Sequence, residues 1–429
     1  MNEDPGGKKE RFVVRESPLT DALKQHVPRS TSGLYSAVQY LLLVTTGVHY
    51  YFNWKVFRAD MNFLLNALSP IHALLLNELV GVVAIACLLP GIRMRLQSPN
   101  PTSTTVFQMD VAVVSLVLLV VPYQIKSHYG SHYVFNVILI ATQVRFLLKL
   151  ISFLVENSEE AKDLPTLKSL MYFLFAPTLI YQHSYPRSPH PTNWGRVVEN
   201  LLQIAFGLWL AMLIMNRQLI PLTQEVGTGG VITADLMYRI AIWSGLFGGC
   251  IFFGMGFFFC NCWFNVWAEV LRFGDRQFHN NWSTARDGLE QMPMWNSDVQ
   301  NWVLCYGYLP CISWTSSRRM TFCLLIFSSS LVHDYVLSSA LEVFFPFYTM
   351  VSLIRGGTWV RNLERSNSEL GGNSFTGRII AHMLGVIVIV LEKGARMSCP
   401  SALESGVGDY FHFRSFSCLS FDWSGISTI

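Results

Sequence analysis

The sequence predicts an all-α protein that crosses a membrane several times, and three observations lead to this prediction. Charged residues make up only 14% of the 429 residues and hydrophobic residues 51%, whereas about a quarter of the residues of a soluble domain are charged. The mean hydropathy of the chain is +0.34. Apolar runs of about 20 residues, the length of a membrane-spanning helix, recur along the chain. The net charge of +3 is too small and too dispersed to indicate a nucleic-acid partner.

Nine apolar segments are candidate spans, and inside lipid a chain satisfies its backbone polar groups by forming helices. The candidates lie near 34–54, 70–90, 107–125, 133–155, 166–182, 198–220, 236–271, 320–354 and 378–391. The seventh is long enough to cross twice or to run tilted, and Pro346 predicts a break in the eighth. We therefore expect about nine transmembrane helices, forming one bundle over residues 34–392.

The two ends of the chain are polar. Residues 1–33 carry basic side chains such as Lys8, Lys9 and Arg11 without an apolar core behind them, so they do not have the pattern of a signal peptide. An excess of Lys and Arg favours the cytosolic side of a membrane. We expect this segment to be cytosolic and disordered, and an odd number of spans then places the C-terminal tail, residues 393–429, in the lumen.

Seven of the nine cysteines lie in or beside apolar runs, where cysteine is usually a small buried hydrophobic residue. The other two, Cys399 and Cys418, lie in the polar tail, and an oxidising lumen permits a disulfide between them. Cys260 and Cys262 are separated by one residue and have no second pair. We therefore expect no metal site.

Arg145 and Lys149 lie within an apolar segment, four residues apart, and so share one face of a helix. Ionisable groups at membrane depth usually face a bundle interior or a wet cavity. Long basic side chains near a helix end instead extend to the membrane interface. The sequence leaves both interpretations open.

A histidine, His333, lies within the apolar segment 320–354. If this segment is one helix, His333 lies roughly 20 Å from its start, at about 1.5 Å per residue. Desolvation at that depth favours the neutral imidazole, which can accept a proton as a general base. The alternative is a structural histidine that is hydrogen-bonded to a neighbouring helix, with Ser328, Ser329 and Ser330 satisfied in the same way. Position alone does not separate these two interpretations.

Several motifs, in order along the chain, resemble those of the membrane-bound O-acyltransferase family, and most closely its sterol O-acyltransferase branch. They are QVRFLLKLISFLVEN (143–157), YFLFAPTLIYQHSYPR (172–187), FGDRQF (273–278), the WN pair at Trp295 and Asn296, and VHDY (332–335). The tail segments ARMSCP (395–400) and DYFHFRSFSC (409–418) are similar to the family's closing lumenal segment. The resemblance implies a membrane-bound O-acyltransferase-like bundle.

The resemblance also implies a reaction, the transfer of a long-chain acyl group from acyl-CoA to the 3-hydroxyl of a sterol in the endoplasmic reticulum membrane. His333 would take the proton from that hydroxyl, and Asn296 would polarise the thioester carbonyl. Ser329, one turn before His333, would line the same chamber. The acyl chain and the sterol both partition into lipid, which would explain a buried histidine in a dry pocket. Acyl-CoA would be a co-substrate with no further cofactor, and the family implies a homo-oligomer, either a dimer or a tetramer.

The family's substrate-binding signature FYxDWWN falls on residues 278–284 and is altered in this chain. The resemblance implies substrate contacts from Phe278, Asn281, Trp282 and Trp295, but Asn281 replaces the usual acidic residue. After Asn296 the family continues with apolar residues and a histidine, whereas this chain has Ser297, Asp298, Val299 and Gln300. Two alternatives therefore remain open. One is acylation of diacylglycerol or a long-chain alcohol, and the other is a catalytically weakened paralogue that binds lipid.

Overall fold

The computed structural model describes the greater part of the chain. The described residues are 12–15, 41, 43–98, 100–129, 133–158, 164–227, 233–254, 261–279, 294, 296–341, 346, 348–350, 352–353, 387 and 390–391. They form helices joined by short irregular segments, and they contain no β-strand, only two isolated bridges. The all-α prediction is confirmed.

Thirteen α-helices and two π-helical segments make up the described chain. They are α1 (Trp54–Leu68), α2 (Ile71–Ala86), α3 (Leu88–Gln97), α4 (Pro101–Tyr129), α5 (Tyr133–Glu156), α6 (Leu167–Phe175), α7 (Trp194–Ile214), π1 (Met215–Leu219), α8 (Ile220–Gly227), α9 (Ala234–Gly254), α10 (Phe264–Val270), α11 (Ser297–Trp302), π2 (Val303–Tyr308), α12 (Leu309–Thr315) and α13 (Arg318–Leu341). Residues 43–52 are also helical.

Five helical runs among the described residues are long and apolar enough to cross a membrane. They are Trp54–Gln97, Pro101–Tyr129, Phe135–Glu156, Trp194–Gly227 and Arg318–Ala340. The protein is therefore an all-α polytopic membrane protein, as predicted. The number nine stays a prediction, because part of the expected first span and most of the last lie outside the described residues.

One expected span differs from the observed helices. The segment 166–182 contains only the nine-residue helix α6, which ends before Ala176 and Pro177, and nine residues reach less than half of the way across a bilayer. Proline disfavours the helical conformation at the residue before it, which explains why α6 ends there. In the segment 236–271 the described residues include α9 and α10, neither of which is among the five candidate spans, and residues 255–260 lie outside the described residues.

The largest hydrophobic core joins α2, α4, α5 and α6 to residues near 273–278. Phe146 of α5 and Phe173 of α6 are fully buried in it. Gly81 of α2 lies directly against the Phe146 ring, so any larger side chain at this position would collide with that ring. The close approach of α2 and α5 therefore depends on a glycine.

The two basic residues of α5 have different environments. Arg145 forms an ion pair with Glu78 of α2, with Nη2 and Oε2 2.6 Å apart. Lys149 is only 2% exposed, and its ammonium donates hydrogen bonds to the carbonyl oxygens of Phe173, Leu174 and Ala176 at 2.7, 2.9 and 2.9 Å. For Lys149 the bundle-interior interpretation is correct. Its charge lies at the C-terminal end of α6, where the helix dipole favours a cation.

Part of the N-terminal segment packs onto the core. The Phe12 ring lies edge-on to the rings of Tyr185 and Phe273, with centroids 5.4 and 6.1 Å apart. Arg15 forms an ion pair with Asp275 at 2.6 Å, and its backbone pairs with the same loop. The expected disorder of residues 1–33 therefore does not extend to residues 12–15, because ring contacts and an ion pair hold these four residues in place.

Candidate active site

His333 lies in the second half of α13, on one of the five candidate spans. Its Nδ1 atom is 2.7 Å from the backbone carbonyl oxygen of Ser329, one turn earlier. A carbonyl can only accept a hydrogen bond, so Nδ1 carries the proton and donates it. The lone pair of the neutral ring is then on Nε2, which identifies Nε2 as the atom able to act as a base.

The His333 side chain is exposed in the described structure, which contradicts the expectation of an imidazole buried in a dry pocket. The reason lies in the packing of α13. Ser330 and Asp334 are buried, each 7% exposed, and face the segment 348–353. His333 precedes Asp334 by one residue and so points about 100° away around the helix. Ser329 is also exposed, and it contacts the imidazole through its backbone rather than its side chain.

Asp334, the second residue of the VHDY motif, does not contact the imidazole. Its two carboxylate oxygens accept the backbone N–H groups of Tyr348 and Thr349, each at 2.8 Å. This contact fixes the next helical segment, and the Tyr348 ring then lies beside His333, with ring centroids 5.2 Å apart. Asp334 therefore positions the Tyr348 ring beside the imidazole of His333.

Asn296 is the N-cap of α11. Its backbone is extended, and its Oδ1 atom accepts the N–H of Val299 at 3.1 Å. Asparagine is among the best N-cap residues because this bond satisfies an N–H at the start of the helix. The cap uses the carbonyl end of the carboxamide. The Nδ2 end keeps the two N–H groups that an amide can donate to a developing oxyanion.

Phe278 is 3% exposed and lies in the hydrophobic core, where its ring packs edge-on against Phe264 at 5.2 Å. The structure therefore places this predicted substrate-binding ring in the core rather than in an open pocket. The carbonyl oxygen of Phe278 accepts the N–H of Ser297 at 2.9 Å. Phe278 thus supports the site through its backbone, because it holds the residue that follows Asn296.

Several predicted site residues lie outside the described residues. These are Asn281, Trp282 and Trp295, together with the candidate disulfide pair, Cys399 and Cys418. Among the described residues, His333 and Asn296 form no hydrogen bond with each other. Their joint role in one reaction therefore stays a prediction.

The structure adds Asp298 to the candidate site, a residue that in the sequence is only a departure from the family pattern. Asp298 lies one residue after Ser297, and its Oδ1 accepts hydrogen bonds from the Thr178 hydroxyl at 2.9 Å and the Leu179 N–H at 3.0 Å. Thr178 and Leu179 belong to the turn that follows α6. The start of α11 and this turn are therefore joined directly, although they are far apart in the sequence.

Comparison with known proteins finds relatives that are similar to this chain in sequence. No family model matches the chain. The chain is 32% identical over 296 residues to sterol O-acyltransferase 1 of Mus musculus, covering 66% of this chain and 54% of the relative. It is 29% identical over 416 residues to sterol O-acyltransferase 2 of Rattus norvegicus, covering 92% of this chain and 78% of the relative. The chain is thus similar in sequence to the sterol O-acyltransferases of mouse and rat.

A third relative, sterol O-acyltransferase 2 of Homo sapiens, is 28% identical over 304 residues, covering 68% of this chain and 58% of the relative. In the mouse and human comparisons, this chain spans little more than half of the relative's length. The resemblance first indicated by the VHDY, FGDRQF and WN motifs is confirmed by these comparisons.

Proposed function

We propose that the chain is an acyl-CoA-dependent sterol O-acyltransferase, which transfers a long-chain fatty acyl group to the 3-hydroxyl of cholesterol or a related sterol. The observation that carries this proposal is its similarity to the sterol O-acyltransferases of mouse, human and rat, over 66% to 92% of this chain. The polytopic helical architecture supports it, because sterol and acyl chain both partition into lipid.

The reaction proceeds in one transfer step. The His333 Nε2 atom accepts the proton of the sterol hydroxyl while the hydroxyl oxygen attacks the carbonyl carbon of the thioester. The Asn296 amide donates to the carbonyl oxygen as negative charge develops on it. The carbon–sulfur bond then breaks, and the departing CoA thiolate takes the proton from the imidazolium. The products are a steryl ester and CoA with a free thiol.

The exposure of His333 fits this scheme in one respect. Both substrates must reach the imidazole from outside the helix, and a side chain on the surface of α13 is accessible to them. The Tyr348 ring, whose backbone N–H is held by Asp334, lies on one side of the imidazole. The family resemblance implies substrate contacts from Asn281, Trp282 and Trp295, which lie outside the described residues.

The proposal extends to the partners and the location of the protein. The enzyme uses acyl-CoA as its co-substrate and no further cofactor, and it takes the sterol from the bilayer. It resides in the endoplasmic reticulum membrane, where steryl esters are made for storage. It assembles as a homo-oligomer, either a dimer or a tetramer.

The identity of the acyl acceptor is tested with microsomes. They come from cells that express the chain and have no sterol acyltransferase activity of their own. Labelled oleoyl-CoA is supplied with cholesterol, diacylglycerol or a long-chain alcohol in parallel. We expect labelled cholesteryl oleate as the main product. A dominant triacylglycerol or wax ester product contradicts the sterol assignment, and the absence of every ester above the empty-vector control contradicts the acyltransferase assignment.

Two substitutions separate the capping role of Asn296 from its proposed donor role. Aspartate caps helices as well as asparagine does, so Asn296→Asp should keep the melting temperature of the wild type. It lacks the N–H donor, and loss of an oxyanion donor typically lowers kcat about 100- to 1,000-fold. Asn296→Ala should lose both the activity and part of the stability. Wild-type kcat in a folded Asn296→Asp variant would show that the amide does not serve as the donor.

A further inference from the structure

The turn after α6 is held in place by a buried charge, the ammonium group of Lys149. Lys149 donates hydrogen bonds to the carbonyl oxygens of Phe173, Leu174 and Ala176, all within 2.9 Å. These carbonyls lie at the C-terminal end of α6, where the main chain leaves the helix. The backbone that continues into Thr178 and Leu179 is therefore fixed relative to α5, and both residues are buried.

Asp298 joins this turn to the helix that begins at Asn296. One carboxylate oxygen, Oδ1, accepts both the Thr178 hydroxyl and the Leu179 N–H, at 2.9 and 3.0 Å. Asp298 lies in the first turn of α11, and the next residue, Val299, donates its N–H to the capping Asn296 oxygen. A shift of the Asp298 backbone would therefore shift the atom that orients the Asn296 carboxamide.

The other end of α11 has its own anchor. Trp302 donates its indole N–H to the carbonyl oxygen of Leu148 at 3.0 Å. Beyond it, the Tyr306 hydroxyl lies between Ser152 and Glu156, at 3.0 and 2.8 Å. These contacts fix the far end of the helix against α5. The Asp298 carboxylate provides the matching side-chain contact at the end next to Asn296.

We propose that Asp298 is a positioning residue of the acyl transfer, which fixes the Asn296 carboxamide by tying the start of α11 to the turn held by Lys149. This proposal rests on the proposed function. It accounts for a polar residue at a position where the family resemblance led us to expect an apolar one. Asp298 touches no reacting atom, so its effect is on the orientation of Asn296.

The charge state of Asp298 provides a way to separate positioning from stability. Burial raises the pKa of the Asp298 carboxyl to about 6, although the Leu179 N–H, the Thr178 hydroxyl and the Lys149 ammonium lower it. The Asp275 carboxylate raises this pKa further, and the Tyr185 phenol is the other titratable group that senses the Asp298 charge. At pH 7.5 Asp298 is therefore ionised, at some cost to stability.

The sign of the stability effect follows from this raised pKa. A carboxyl whose pKa is higher in the folded than in the unfolded protein stabilises the fold below its unfolded pKa. That stabilisation is lost as the pH rises through the folded pKa, about 6. A neutral amide at position 298 avoids this loss. However, an ionised acceptor forms stronger hydrogen bonds than a neutral one, so the carboxylate holds the turn more tightly.

Asp298→Asn should therefore change stability and catalysis in opposite directions. In the full chain purified in detergent, we expect its melting temperature to be higher than that of the wild type at pH 7.5, and the difference to shrink at pH 5. In the same preparation with oleoyl-CoA and cholesterol, kcat should fall roughly tenfold, because small misplacements of a positioned group are costly. KM for oleoyl-CoA should not change.

Asp298→Ala and a matched control complete the experiment. Asp298→Ala removes the acceptor, so kcat should fall more than in Asp298→Asn, by roughly 100-fold. Asp235→Asn makes the same chemical change at a side chain that is 74% exposed and should leave kcat unchanged. Wild-type kcat in both Asp298 variants overturns the proposal. So does a loss of kcat in Asp298→Asn that is accompanied by a lowered melting temperature, because that is the result of a purely structural role.

Hydrogen–deuterium exchange provides a readout that does not require activity. In Asp298→Ala at the wild-type pH, we expect faster exchange in peptides that cover 176–182 and 296–302 together. Unchanged exchange in both segments overturns the positioning role. If the wild-type chain forms no ester, the proposed function fails, and the exchange result alone decides whether Asp298 ties the two segments together.

Discussion

Replacing His333 by alanine should lower steryl ester formation by at least about 100-fold, because a positioned general base typically contributes 10²- to 10⁴-fold to the rate. The Nδ1–H group donates to the Ser329 carbonyl oxygen, which leaves the Nε2 lone pair for the sterol hydroxyl. Alanine removes that lone pair. The measurement is the initial rate of labelled cholesteryl oleate formation in microsomes, normalised to the amount of protein.

A second histidine serves as the control for this prediction. His128 is exposed near the end of α4, and His128→Ala should retain wild-type activity. The melting temperature of His333→Ala should be close to that of the wild type, because the exposed imidazole forms one hydrogen bond with a backbone carbonyl and one ring contact. Unchanged ester formation by His333→Ala would show that another group accepts the proton.

Replacing Lys149 by methionine should lower the free energy of unfolding by about 3 kcal/mol. Methionine has nearly the same length but no donor, so the three carbonyl groups at the end of α6 lose the ammonium that they share. Each buried acceptor left without a partner costs about 1 to 3 kcal/mol. Relief from burying a charge offsets part of this loss. Thermal and denaturant unfolding of the purified protein measure the effect.

The matched control is Lys168→Met, the same change at an exposed lysine of α6, which should leave the melting temperature unchanged. The Lys149 variant should also lose activity, because the turn at Thr178 and Leu179 is then held less firmly against Asp298. If both lysine variants melt at the same temperature, Lys149 does not hold the end of α6 as described.

The sequence predicted the class of fold better than the number of spans. Composition alone indicates a helical membrane protein. A chain with so few charged residues and so much apolar surface is surrounded by lipid rather than by water. The segment 166–182 shows why counting apolar runs does not give the number of membrane spans. Most of its apolar residues are buried in protein, and its irregular backbone from Ala176 onward is hydrogen-bonded by Asp298, Ser152 and Tyr185. A run of apolar residues does not reveal whether lipid or protein covers it.

The candidate site was predicted in part. The motifs identified His333 and Asn296, and the structure shows local hydrogen bonds at both residues. The prediction that His333 is enclosed in a pocket was wrong, because hydropathy does not indicate which way a helix is rotated. The function of Asp298 was not predictable, since its partners lie 119 and 120 residues away along the chain. For Lys149 the sequence left two environments open, and only the neighbouring end of α6 decides between them.

Product stoichiometry tests the claim that this chain transfers an acyl group from acyl-CoA to a sterol hydroxyl. Purified protein in vesicles that contain cholesterol is supplied with oleoyl-CoA, and cholesteryl oleate and free CoA are both quantified by mass spectrometry. Transfer predicts equal amounts of the two products, formed only when cholesterol is present. Release of CoA together with free oleate, or no consumption of oleoyl-CoA at all, would contradict the claim.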